Sequence, residues 1–122
     1  MIMTLISSAL LTLSAQASVS DISQKSSALS QQSKAVVRCS AAFALVSFGQ
    51  GNGNEDALKW PKLEPRGREF FVRSLARLMD ETGLDQAGIA DLVGKEAQNL
   101  WDNDKVNDVM PGCLVMLEAS GV

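Results

Sequence analysis

The stretch from Pro65 to Thr82 constrains the fold most. Phe70, Phe71, Leu75, Leu78 and Met79 recur at helical spacing and make one apolar stripe. Glu69, Arg73, Arg77 and Glu81 fall four apart on another face, in the order that gives weak support between neighbouring turns. Pro65 suits the first turn, and Gly83 ends the helix. A helix with one apolar stripe must bury it, so the other elements are expected to pack against this one.

Those other elements also read as helices. From Lys34 the chain is helical, with Val36, Cys39, Phe43 and Val46 on one face. Ala41, Ala42 and Ala44 allow close packing, and Gly49 is the expected stop. Asp85 is a good N-cap, and Leu84 with Ile89 would staple it. The stripe that follows is Ile89, Leu92, Val93, Ala97, Leu100 and Trp101. Pro111 then starts a short last helix carrying Cys113, Met116 and Leu117. Between residues 50 and 63 lies a glycine-bearing surface connection, pinned by Trp60. Alternating β-branched runs are absent. The expected fold is therefore all-α: a small four-helix domain over 34–122, with main helices at 26–48, 65–82, 85–101 and 110–119.

The beginning of the chain reads differently. Ile2 to Leu13 is short and mostly apolar, and Ala15-Gln16-Ala17 fits a small-x-small cleavage site. No Lys or Arg precedes the apolar run, which departs from the usual leader. The run is too short, and too rich in Ser and Thr, to span a membrane. A signal peptide over 1–17, cleaved after Ala17, implies a periplasmic or secreted protein. Residues 18–33 are rich in Ser and Gln and are expected to be loose.

Two cysteines in an exported chain predict one disulfide, Cys39–Cys113. In a protein kept in the cytosol the same residues would be two buried thiols. With no His anywhere, His-based triads, His-ligated metals and thiolates activated by His are excluded. No catalytic residue, metal ligand or cofactor site is nominated. Asp102, Asp104 and Asp108 glance at a calcium loop, but Val106 takes a ligand position and no Glu closes the pattern. They read as turn and cap residues.

Charge is distributed unevenly. Residues 18–79 carry nine bases against five acids, whereas residues 80–122 carry nine acids against two bases. Two surfaces that attract each other in the fold explain this, and so does a bipolar docking surface. Arg66, Arg68, Arg73 and Arg77 form the candidate partner-binding face, with the acidic C-terminal half as its counterpart.

Gln86, Ala90, Gly94 and Leu100 resemble a helix-turn-helix, which would imply a DNA-binding regulator with a recognition helix near Lys95 to Asp104. Glu96, Asp102 and Asp104 would repel phosphates there, and the apolar stripe keeps its phase through Gly94. A further resemblance covers nearly all of the chain after the leader. Arg38-Cys39-Ser40-Ala41-Ala42-Phe43, Gly67-Arg68-Glu69-Phe70-Phe71-Val72, Met79-Asp80-Glu81-Thr82-Gly83-Leu84 and Val109-Met110-Pro111-Gly112-Cys113-Leu114 are similar to segments of small exported helical proteins of alphaproteobacteria. That resemblance implies an exported, all-helical domain with one disulfide, and no activity. The expected function is a non-enzymatic protein-binding or envelope-associated module. A DNA-binding regulator and a small carboxylate-dependent hydrolase are the alternatives.

Overall fold

The computed structural model describes residues 29–122, in five helices and, among those residues, no strand. They are α1 (Gln31–Gly51), α2 (Glu55–Leu58), α3 (Arg66–Thr82), α4 (Gln86–Asp102) and α5 (Val106–Ala119). The expected leader at 1–17, and the Ser/Gln-rich stretch as far as Ala28, lie outside the described residues. No described helix is long and apolar enough to cross a membrane. The all-α fold and the Cys39–Cys113 pair are as expected, with α2 as an additional short helix.

The centre of the fold is α1, not the strongly amphipathic α3. Cys39, Ser40, Ala41, Ala42 and Phe43 are all buried. Consecutive residues point about 100° apart, so a buried run of this length covers the whole circumference. α1 packs against each of the other four helices. Over Cys39 to Phe43 the burial runs all round and blurs the stripe, which is why the central position of α1 was hidden in the pattern. Its start is marked by Ser30, whose Oγ accepts from the Ser33 backbone N–H at 3.1 Å.

Two apolar clusters share α1. The larger holds Phe43, Val46, Leu63, Phe70, Leu100, Met110 and Leu117 around the disulfide. There Phe43 and Phe70 meet edge to face, with ring centroids 5.3 Å apart. The smaller cluster gathers Leu29, Val37, Leu78, Ile89 and Leu92 near the turn between α3 and α4. That turn follows the expected chemistry. Gly83 is left-handed at φ 70° and its N–H reaches Met79 O at 2.8 Å. Asp85 caps α4 by accepting from the Gly88 N–H at 2.8 Å.

Four local expectations are corrected. Gly49 does not stop α1, which continues to Gly51. Gly49 is small because α2 crosses it: a Cβ there would lie 2.7 Å from Ala57 Cβ. Pro111 does not start α5 but sits inside it. Its missing N–H costs a helical bond, yet Met110, Cys113 and Leu117 are all buried on the same side of that helix, and this burial outweighs the defect. Trp101 leaves the core stripe of α4 and is 65% exposed, one residue beyond the buried Leu100. Finally, the connection at 50–63 is more ordered than a free surface loop. The Gln50 amide donates to the carbonyls of Ala57, Trp60 and Pro61 at 3.1, 3.1 and 2.9 Å and accepts from Leu63 N–H at 3.2 Å. Trp60 does pin this segment, its indole N–H donating to Asn107 Oδ1 at 3.0 Å.

α4 runs unbroken through Gly94. The turn that a helix-turn-helix requires is therefore not formed there.

Candidate functional site

The four arginines of the expected partner face are not one face. Arg66, Arg73 and Arg77 are spaced by seven and four residues and line one side of α3. Arg68 points about 200° away from Arg66 at helical geometry. It pairs with Glu64 instead, at 3.3 Å.

The row of three is engaged within the chain. Arg66 Nε donates to Val122 O at 3.0 Å, and its other end meets Glu118 at 2.8 Å. Arg73 donates to the Ser120 carbonyl at 3.4 Å, and Arg77 lies 3.6 Å from Glu81. The last turn of α5 contains no basic residue of its own. Arg66 and Arg73 supply the positive charge that its carbonyl end favours. The expected Glu69–Arg73 pair does not form, because Arg73 turns to this helix end.

The other end of α3 performs the reverse service. The first turn of α1 contains no acid. Glu81 stands beside it, accepting from Ser30 Oγ at 3.3 Å. The Ser33 hydroxyl, then Ser30 and the Arg77 charge, hold the Glu81 carboxyl below the usual carboxylate range against an opposing effect of partial burial. Glu81 Oε2 and Ser33 Oγ are enclosed and reach no partner in strict hydrogen-bond geometry. The downward displacement of Glu81 is the opposite of what a general acid working near neutral pH needs.

A groove of about 650 Å³ opens on another side, between α1, α3 and α4. α3 and α4 touch each other less extensively than either touches α1, so they leave α1 uncovered between them. Ser40, Ala44 and Ala90 are small and form its narrow parts, while Phe48, Phe71 and Val93 give it apolar walls. Phe48 stands at 74% exposure. Glu64 borders the groove, accepting from Ser47 Oγ at 3.0 Å while it holds Arg68. Ser40 Oγ is enclosed on the α1 side without a hydrogen-bond partner.

Sequence reasoning missed this groove. A signal existed: Ser40, Ala44, Ser47, Phe48 and Gly51 recur at helical spacing as a face of small residues bearing a single aromatic. Hydrophobic periodicity marks the apolar face of a helix, and here the informative face is the small one.

The remaining candidates are structural. Cys39 and Cys113 are bonded, with Cα atoms 5.2 Å apart, and join α1 to α5. Asp102 accepts from Gln98 at 2.8 Å, and Asn103 ends α4 with its side chain on the Asn99 carbonyl at 2.8 Å. Among the described residues no group of three or more His, Cys, Asp or Glu is arranged to hold a metal. Comparison with family models, curated proteins and solved structures finds no match to this chain.

Proposed function

We propose that this chain is an exported, non-enzymatic binding module whose partner is another protein, an apolar segment of which enters the groove between α1, α3 and α4. The observation that carries the reading is that groove, with Phe48 exposed on its rim. Its size is in the range of about 300–1,000 Å³ typical of binding clefts, and its lining is apolar with few polar groups. The arginine row supports the same choice by default, since Arg66, its most firmly held member, already serves the end of α5 within the chain. The Cys39–Cys113 bond is compatible with an oxidising compartment and supports the exported part of the proposal.

Two measurements test it. The intact mass of natively expressed protein, before and after reduction, reports export: a chain beginning at Ser18 and lighter by two hydrogens until reduced supports it, and a full-length dithiol refutes it. A photo-crosslinking residue placed at Phe48, and separately at the exposed Val115 as a control, reports the binding surface. A discrete protein adduct from position 48 but not 115 is expected. Equal or absent crosslinking at both positions refutes the groove as the contact.

A further inference from the structure

A second cavity, of about 300 Å³, lies where the start of α1, the middle of α3 and the end of α5 converge. Gln32 and Ser33 contribute from the first turn of α1, and Arg73 and Arg77 from α3. Its apolar part is Val36, Phe70, Leu78 and Met116. No carboxylate lines it. Glu81, the acid next to Ser33, is not among the lining residues.

Two features point to an anion. Arg73 and Arg77 lie one turn apart on α3, a spacing at which like charges repel. Neither is strongly held: Arg73 has a carbonyl at 3.4 Å and Arg77 a carboxylate at 3.6 Å with its side chain 57% exposed. The start of α1 adds the positive end of a long helix, shared with Glu81 and with one first-turn N–H taken by the Ser30 cap. Ser33, 1% exposed, also lines this wall, with its hydroxyl beside the Glu81 carboxylate. The apolar half of the cavity adds a demand that a bare inorganic ion does not meet.

We propose that this cavity binds a small organic carboxylate with a short hydrocarbon body. The carboxylate lies between Arg73 and Arg77, which approach it as paired forks. The hydrocarbon rests on Val36, Phe70 and Met116. The site is separate from the groove and stands or falls independently of it.

The test uses the oxidised full chain and three probes, hexanoate, 1-hexanol and inorganic phosphate, followed by amide chemical-shift titration. Hexanoate is expected to saturate, with shifts centred on Gln32, Ser33 and the Arg73–Arg77 turn. Hexanol and phosphate, each lacking one half of the ligand, are expected to bind at least about tenfold more weakly. Arg77→Gln is expected to weaken hexanoate about tenfold while leaving the circular dichroism spectrum unchanged. Failure of hexanoate to saturate would falsify the proposal. Hexanol binding as well as hexanoate reduces the site to an apolar crevice, and phosphate binding equally reduces it to bare charge; each overturns it. Because the comparison of probes uses the unsubstituted chain, a variant that fails to fold leaves the outcome decided.

Discussion

Opening the Cys39–Cys113 bond removes a covalent link between residues 74 apart in sequence. In the chain-entropy treatment, closing a loop of that length in the unfolded state costs it about 15 cal/mol/K, or about 4.4 kcal/mol at 25 °C. Total stability of a domain of this size is about 5–15 kcal/mol, so the reduced protein retains a much smaller margin. Reduction is a cleaner perturbation than substitution, because both sulfurs stay in the core and no cavity forms. Cys39 and Cys113 are 4% and 2% exposed, so a strong, small reductant and brief unfolding are needed to open the bond. The assay is urea unfolding followed by helical circular dichroism, with and without reductant. At a slope of about 1–2 kcal/mol/M, the midpoint is expected to fall by roughly 2–4 M. The slope itself is expected to rise, since an unlinked chain exposes more surface when unfolded. A midpoint shift below about 0.5 M at unchanged slope would refute the reasoning. It would mean that the unfolded chain already holds α1 and α5 together.

Other outcomes follow from single contacts. Leu117 is fully enclosed in the larger cluster. Leu117→Ala is expected to lower stability by about 2–5 kcal/mol in thermal unfolding, whereas Val115→Ala, at an exposed position, is expected to change it by less than about 0.5 kcal/mol. Gln50→Ala removes a clasp of three donated bonds and one accepted bond. It is expected to accelerate limited proteolysis between residues 52 and 64, with cleavage elsewhere unchanged. Because the folded pKa of Glu81 lies below that of a free glutamate side chain, its charged form stabilises the fold above the free value. This contribution fades as pH falls through the lower folded pKa, where the carboxyl takes up its proton. Glu81→Gln should therefore unfold earlier than the unsubstituted chain at pH 7 and converge with it once the pH has fallen below the lowered pKa. A gap of constant size across that range would remove Glu81 from the pH dependence.

The parts of the fold legible in the sequence were those with local chemistry. Gly83, Asp85 and Thr82 sit together and write a helix end and a helix start in four residues, so that turn was readable. The apolar stripe of α3 was readable for the same reason: its members are neighbours on one surface. The pairing of Cys39 with Cys113 needed only the count of cysteines and a compartment. What was illegible depends on distant partners. α1 carries Ser40, Ala41 and Ala42 at its most buried point, and small residues signal a centre only once the surrounding helices are known. Pro111 follows a local rule for starting helices, and the burial of Met110 overrides it. The arginines illustrate the same limit at the candidate site. Their spacing marks a charged surface, but only the position of the end of α5 gives Arg66 and Arg73 their partners there. The uneven charge of the chain has part of its answer there, since Arg66 and Glu118 join the basic and acidic halves.

The opposite charges along α3 also select a register. Apolar side chains on facing helices tolerate sliding by a turn, because one aliphatic contact replaces another. Charges do not. A slip of α3 by one turn, about 5.4 Å along its axis, would carry Arg77 to where Glu81 now meets the start of α1. Attraction at the positive end of that helix would become repulsion. Arg73 would simultaneously leave the carbonyls at the end of α5. Contacts that add little to the depth of the native state thus raise the energy of its nearest competitors, and a domain with so many small core residues gains from them a single alignment of its helices.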